Sequence, residues 1–396
     1  MSRAAFLNFL YKLIFYIEAG WLLIDMVGGY FLNESNGSSL FNTLIRAAVL
    51  VIIFTVFLLD KNIKGRAVPF FLTIIFLTLG AAQYIVFKFQ TIDFDIIFKL
   101  ILFPIFLILF RSQIEQGRIT QKNLYTILYV NIFIMALNIS LSYVNIGFSN
   151  YGVNKTGDFV GGTGFFYAGN EVGGVLTVLS GVGLYFFSKK GFWVTYGFAF
   201  LFLVCSLGLL SKTALISVFL NVTIVVMLSS FYRRLVILVL IIVGAIVFQS
   251  SIVQQITLFW TRLSYFAHQQ GWETILTGGL KRETAVGILE EIFIHNPVSI
   301  FIGHVWTGYT ENNFLDVLEG FGVLGYLFFI IPLIFFVDSL KKVNIKKDRK
   351  QLLLIFNCLL IFGVAVFAGH IIQSGMNSLF LAILLNFGNF KKLSTS

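Results

Sequence analysis

A short stretch of the sequence places acidic and amide side chains at the start of a long apolar run. The stretch TENNFLDVLEG covers residues 310–320. On a helix that begins near Asn312, residues 312, 316 and 319 share one face, and Asn313 lies beside them. Asn312, Asp316 and Glu319 must then face water, a cavity or other protein. A solvated first turn with acids favoured by the helix dipole also accounts for Asp316, but it fits Glu319 less well.

Basic side chains form a second set of candidates. Arg262, Lys281 and Arg282 lie in an otherwise acidic segment, and Lys212 stands between two apolar runs in SLGLLSKTALISV. Arginine presents a planar fork that suits phosphate oxygens, so several converging cations would hold a pyrophosphate and stabilise it as a leaving group. The alternative is that Arg262 and Arg282 are solvated, as Lys281 is expected to be. Lys212 either faces a cavity or extends to the membrane surface.

The composition excludes an ordinary water-soluble protein. Of the 396 residues, 58% are hydrophobic and 12% are charged, whereas soluble domains have about 25% charged residues. Apolar runs long enough to cross a membrane as helices recur along the chain. We therefore expect an all-α, polytopic membrane protein that forms one integral membrane domain over residues 1–396.

Twelve spans are predicted, and the charge distribution gives their orientation. With a cytoplasmic N-terminus, every second connection is basic, and the C-terminus is cytoplasmic as well. Nucleic-acid binding is a poor alternative, because the basic residues are distributed over successive loops. The predicted spans are 4–24, 40–59, 67–87, 96–111, 122–143, 166–187, 191–210, 212–230, 233–250, 314–337, 351–369 and 371–390.

One connection on the outer side is long. Residues 251–312 are too polar to span a membrane and too apolar for a flexible linker, so we expect a folded extracytoplasmic loop. Within it, the apolar spacing predicts an amphipathic helix at about 280–295, ended by Pro297. All four histidines, among them His304, fall on this predicted outer side. Their position indicates a function at the outer face, although histidine is also common in solvated loops.

Three local patterns resemble the O-antigen polymerase (Wzy-type) and O-antigen ligase superfamily of membrane glycosyltransferases. GGTGFFYAGNEVGGVLTVL, which contains Asn170, resembles the family's entry to a span, and SLGLLSKTALISV resembles its Ser-rich turn. LKRETAVGILEEIFIHNPVSIFIGH followed by TENNFLDVLEGFGVLGYLFF resembles the large outer loop and the span after it. The match is best over residues 160–330. One departure favours a polymerase over a ligase: Glu311 and Asn312 stand where many members carry His-Asn.

The resemblance implies a GT-C-like fold and an inverting glycosyl transfer at the outer face of the bacterial cytoplasmic membrane. The donor would be a glycan on undecaprenyl pyrophosphate, and the acceptor a lipid-linked repeat unit. No metal or other cofactor is required, because pyrophosphate is already a good leaving group. A chain-length regulator and a flippase are implied as partners.

The resemblance also gives each candidate residue a role. The pyrophosphate would be held by Arg262, Arg282 and Lys212. The leading base would be Glu311, with Asp316 or His304 as alternatives. The acceptor groove would contain Asn170, Asn312, Asn313 and Glu319.

Other membrane functions remain open at this point. A flippase of lipid-linked oligosaccharide should carry charged residues deep in several spans and often has two matching halves. Here the halves do not match, and the candidates for such a path within spans are Glu18, Arg46, Lys99 and Glu171. An O-antigen ligase, a peptidoglycan-type polymerase and a structural membrane protein are further alternatives.

Overall fold

The chain folds as a bundle of apolar helices. The computed structural model describes residues 2–34, 40–87, 94–150, 161–236, 280–304, 312–367 and 370–395, together with six positions between 253 and 268. The helices are α1 (Arg3–Ala19), α2 (Trp21–Glu34), α3 (Leu40–Leu59), α4 (Val68–Phe87), α5 (Phe94–Glu115), α6 (Gln121–Ser142), α7 (Gly169–Phe187), α8 (Phe192–Leu209), α9 (Lys212–Met227), α10 (Leu280–His295), α11 (Ser299–Ile302), α12 (Asn313–Gly325), α13 (Leu327–Lys342), α14 (Gln351–Phe367) and α15 (Gly375–Leu385).

Two shorter elements complete the described structure. A 3₁₀ helix, Phe387–Thr395, follows α15. Strands β1 (Phe148–Ser149) and β2 (Gly162–Gly164) pair antiparallel in the connection between α6 and α7.

Six of the described helices are long and apolar enough to cross a membrane, and the number is eight if each of two bent pairs forms one span. The helices α9, α14 and α15 are apolar but shorter. The chain is therefore an all-α, multi-pass membrane protein. Most of the predicted span 233–250 lies outside the described residues, so a total of twelve spans stays a prediction.

The predicted span 4–24 is not one straight helix. Helices α1 and α2 meet at Gly20 with a bend of 62°. Asn131 of α6 binds the backbone at this bend: its Nδ2 donates to the carbonyls of Glu18 and Ala19, both at 3.0 Å, and its Oδ1 accepts from Leu22 N at 3.0 Å. The break is stable because a side chain from another helix satisfies the backbone groups that the bend frees.

The predicted span 314–337 is also broken, and more sharply. Helices α12 and α13 meet at an angle of 96°. Gly322 inside α12 has φ 63°, and a Cβ there would lie 2.4 Å from the backbone of Phe301. Only glycine combines this dihedral angle with so close a backbone approach. The sequence pattern gave a continuous helix here because every residue after Glu319 is apolar or glycine.

Helices α5, α7 and α15 form the centre of the bundle. Residues 172–187 of α7 are buried without interruption. Glycines allow its neighbours to approach: a Cβ on Gly174 would meet Ile371 and Asn377, and one on Gly181 would meet Asn357. Close contact at small residues is the usual way in which helices pack within a membrane.

The basic connections meet at one end of the bundle, called the basic end below. Arg118 lies 3.7 Å from Asp60, and Lys189 lies 3.3 Å from Asp348. Further contacts join the remaining described connections: Arg3 to the Leu59 carbonyl, Arg111 to Asp338, Lys392 to Glu115 and Lys350 to the Ser188 carbonyl. This arrangement agrees with the alternation of basic connections along the sequence.

The opposite end, called the polar end below, is where α3, α5, α7 and α15 begin. The last predicted span, 371–390, is wrong at its start, because α15 begins only at Gly375. His370 has φ 54°, and residues 370–374 form an irregular turn. Polar side chains in this turn bind groups on other helices instead of continuing the helix.

Candidate functional site

A buried ion pair lies near the polar end. Arg46 Nη2 is 2.5 Å from Asp25 Oδ1, and the Arg46 and Asp25 side chains are only 6% and 5% exposed. Glu171 and Lys99 lie within electrostatic range of Asp25. Arg46 is six residues into α3, which places it about 9 Å from the start of that helix. Four charged groups with no net charge are thus brought together inside the protein.

The first turn of α7 is bound to the start of α15. Ser374 Oγ donates a hydrogen bond to Glu171 Oε2, and Asn377 Nδ2 donates to the Glu171 carbonyl at 3.0 Å. Gly375 lies against Arg46, where a Cβ would be 2.7 Å from the guanidinium carbon. The start of α15 therefore touches both the arginine and the glutamate of this charged group.

The turn before α15 extends the polar contacts to α12. Asn313 Oδ1 accepts from Ile372 N at 2.9 Å, and Gln373 Nε2 donates to the Asn313 carbonyl at 2.6 Å. Asn313 Nδ2 donates in turn to the Ala365 carbonyl at 3.0 Å. The eight residues 370–377 therefore connect α12, α7 and α3.

A carboxylate and an imidazole meet at the α12 side of this segment. His370 Nδ1 lies 3.4 Å from Asp316 Oδ2. The Asp316 side chain is fully buried, whereas the His370 side chain is 32% exposed. A buried carboxylate beside an accessible imidazole is an arrangement that can orient the ring and stabilise its protonated form. The polar cluster, as the term is used below, comprises Asp25, Arg46, Glu171, Asn313, Asp316, His370 and Ser374.

The predicted groove residues on α12 are buried. Asn312 caps the helix, since its Oδ1 accepts from Phe314 N at 2.9 Å and from Leu315 N at 3.2 Å. Asn313 and Glu319 lie on the buried side of the same helix, together with Asp316. These side chains hold α12 against the bundle, and Asn312 is the least buried of the four.

His304 lies apart from His370 but close to α12. Its backbone N donates to the Glu319 carbonyl at 2.8 Å, and its ring packs on Phe87 with centroids 4.6 Å apart. Burial lowers the pKa of His304 below its ordinary value of 6.5. Burial thus favours the neutral ring, which is the form that accepts a proton.

Two predicted residues lie at the starts of helices at the polar end. Lys212 is the first residue of α9 and is exposed. The preceding Ser211 hydroxyl faces α7, where a Cβ on Gly173 would be 3.2 Å away. Asn170 is exposed beside Glu171 in the first turn of α7. Asn170 thus lies on the helix that carries Glu171, and Lys212 lies on a helix that packs against it.

Three predicted residues cannot be placed with these. Arg262 and Glu311 lie outside the described residues. Arg282 belongs to α10, and its side chain is likewise outside the described part. Their assignments, two pyrophosphate ligands and the leading base, stay predictions.

The sequence-based site omitted several groups that the structure brings together. The sequence pattern indicates Arg46 and Glu171 only as charges within spans and His370 only as one of four outer histidines, and it does not single out Asp25. The signal that could have found them is the rarity of ionisable residues in membrane helices, which makes each one a functional candidate. Among the described residues, no group of three His, Cys, Asp or Glu side chains is arranged to hold a metal ion.

A comparison with protein-family models gives no match to the chain, and none of the curated proteins matches it either.

Proposed function

We propose that the protein is a polysaccharide polymerase of the O-antigen polymerase type. It would transfer a growing O-antigen or capsule glycan from undecaprenyl pyrophosphate to a lipid-linked repeat unit, at the outer face of the bacterial cytoplasmic membrane. The observation that carries the proposal is the Asp316 and His370 pair, a buried carboxylate 3.4 Å from an accessible imidazole. The sequence resemblance over residues 160–330 supplies the class of reaction.

The proposed reaction transfers a proton and a glycosyl group in one displacement. The acceptor hydroxyl gives its proton to the base while its oxygen forms a bond to the anomeric carbon of the donor. The bond from that carbon to the pyrophosphate oxygen breaks, and lipid pyrophosphate leaves as an anion. Attack from the face opposite the leaving group inverts the configuration.

His370 is the base that the described geometry supports best. Many members of the superfamily that the sequence resembles carry an imidazole directly before the late span, where this chain has Glu311. His370 would supply an imidazole from the turn before α15, with Asp316 to orient it and to stabilise the charge that develops on it. Glu311, next to the helix cap Asn312, is the alternative base.

Cations for the leaving group would come from several helices. Lys212 is exposed in the first turn of α9, where the helix dipole adds to its positive charge. Arg262 and Arg282 are the further candidates from the sequence. Arg46 is paired with Asp25, so it would not bind the pyrophosphate itself but would help to hold the helices around the site in place.

A reconstituted polymerisation assay tests the proposal. Purified protein and a lipid-linked repeat unit should give a ladder of longer glycans, and His370→Gln should reduce the rate by about 100-fold or more. His295→Gln is the matched control, because His295 is exposed and its Nδ1 contacts the Glu291 carbonyl of its own helix, α10. Formation of the glycan ladder at the natural rate by His370→Gln would exclude His370 as the base.

Transport of the same lipid-linked oligosaccharide is the second candidate function. Two helix pairs are broken, and Asp25, Arg46 and Glu171 place charge inside the bundle. Discontinuous helices with buried charge are typical of transporters. Liposomes that show flipping of the lipid-linked unit, together with no ladder, would favour transport over polymerisation.

A further inference from the structure

A cavity opens at the basic end, far along the helices from the polar cluster. It lies between the α7–α8 connection, the end of α9 and the residue that precedes α14, and its empty space, together with the adjoining open solvent, is about 490 Å³. Its polar wall contains Ser188, Tyr196, Ser229, Ser230, Arg233 and Lys350. Its apolar wall contains Phe192, Leu228 and Leu353.

Positive charge predominates around this cavity. Arg233 and Lys350 line it, and no acidic side chain does so among the described residues. Lys350 Nζ donates to the Ser188 carbonyl at 2.6 Å, which holds the ammonium group at the wall. Asp348 is the nearby acid, and it is engaged by Lys189 at 3.3 Å and by the Tyr185 hydroxyl at 3.1 Å.

The titration of Lys350 is consistent with an excess of positive charge. Its pKa is lowered by burial first, while Asp348 opposes the shift and Lys189 and Arg233 add to it. An anion between Arg233 and Lys350 would relieve this repulsion. Arginine and lysine beside hydroxyl groups are the donors that phosphate oxygens accept from.

The surroundings place the cavity at a membrane surface. Trp193 in the first turn of α8 and Tyr232 after the end of α9 are each more than three-quarters exposed. Aromatic residues of this kind are concentrated where a membrane meets water. Basic pockets between helices at such a level accept phosphate headgroups, and the apolar wall offers a surface for the adjoining acyl chain.

We propose that this cavity binds the phosphate of an anionic phospholipid headgroup, with Arg233 and Lys350 as its cationic ligands and Ser230 as a hydroxyl donor. The binding is independent of the proposed polymerase activity. A free phosphate ion would make the same polar contacts. Only a phospholipid would also place an acyl chain against the apolar wall.

Thermal unfolding of the purified full chain in detergent tests the proposal. The probes are dioctanoyl phosphatidylglycerol, dioctanoyl phosphatidylcholine and inorganic phosphate. We expect phosphatidylglycerol to raise the unfolding temperature of the natural protein, and the other two to have little effect. The double substitution Arg233→Gln with Lys350→Gln should weaken phosphatidylglycerol binding by about 10-fold or more, because each charge near the surface contributes about 1 kcal/mol.

Lys346→Gln is the matched control, since it removes one charge from the same connection at an exposed position. It should keep the full response to phosphatidylglycerol. If the double variant does not fold, the response of the single variant Lys350→Gln to phosphatidylglycerol is measured instead. An unchanged response in Lys350→Gln and in the double variant would overturn the site, and an equal response to inorganic phosphate would overturn the lipid headgroup as the ligand.

Discussion

The Lys189 and Asp348 pair at the basic end reaches water, whereas the Arg46 and Asp25 pair of the polar cluster is buried in the protein. The Lys189 and Asp348 side chains are 38% and 25% exposed, while those of Arg46 and Asp25 are 6% and 5% exposed. Exposed pairs contribute about 0–1 kcal/mol, and buried charges cost free energy unless they are paired. Orientation in the membrane explains the basic end. The buried charges have no such explanation, which makes each of them a candidate for a functional role.

The largest expected effect is on the buried ion pair. Asp25→Asn leaves the Arg46 guanidinium without its carboxylate partner in the interior, so the free energy of unfolding should fall by about 3–5 kcal/mol. Unfolding in a graded denaturing detergent measures the change. The double variant Asp25→Asn with Arg46→Gln removes both charges and should recover a large part of the loss. A single variant as stable as the natural protein would show that burial of this pair has been overestimated.

A smaller effect is expected at Gly322, where the backbone of α12 leaves the helical conformation. Gly322→Ala places a Cβ 2.4 Å from the Phe301 backbone in a left-handed conformation, which should cost about 1–3 kcal/mol. The same unfolding measurement applies. Gly363→Ala in α14 is the control, because nothing lies within 4 Å of its new Cβ. Equal stability of the two variants would contradict the left-handed conformation of Gly322 and its close approach to Phe301.

The basic end should tolerate a comparable change. Asp348→Asn removes the partner of Lys189 and weakens the contact with the Tyr185 hydroxyl, yet the pair is partly solvated. We expect a loss of no more than about 1 kcal/mol in the unfolding experiment. A loss as large as that of Asp25→Asn would remove the distinction between the two ends.

The smallest effect concerns pH. The pKa of His304 is lowered by burial from 6.5, so the unfolded chain takes up this proton more readily than the folded chain. Its contribution to stability is complete above pH 6.5 and is lost as the pH falls through the lower, folded-state value. His304→Gln should therefore flatten the decline of unfolding temperature between neutral and mildly acidic pH. An identical decline in the variant would show that His304 titrates normally.

The sequence predicted the class of protein and much of its organisation. The apolar runs predicted the membrane helices. The basic residues at alternate connections, of which Arg3 is the first and Lys392 the last, predicted the basic end. It did not predict the breaks at Gly20 and Gly322. The chain has 35 glycines, and which of them interrupts a helix depends on contacts such as those of Asn131 and Phe301.

The site was predicted only in part. Helical spacing brought Asn312, Asp316 and Glu319 to one face, but the partner of Asp316 is His370, 54 residues away along the chain. Asp25 and Arg46 are likewise on different helices, and Glu171 meets Ser374 across 203 positions. Such pairs depend on how the helices pack against one another. The residue pattern within one segment carries no information about that packing.

The most direct test of the account is the polymerisation rate of Asp316→Asn beside that of Asp348→Asn, with each variant shown to be folded by its unfolding temperature. Both substitutions remove one carboxylate that faces a basic side chain, one in the polar cluster and one at the basic end. We predict that Asp316→Asn lowers the rate of glycan ladder formation by about 100-fold or more, and that Asp348→Asn leaves it nearly unchanged. Ladder formation at the natural rate by folded Asp316→Asn would contradict the proposal that the polar cluster is the site of function.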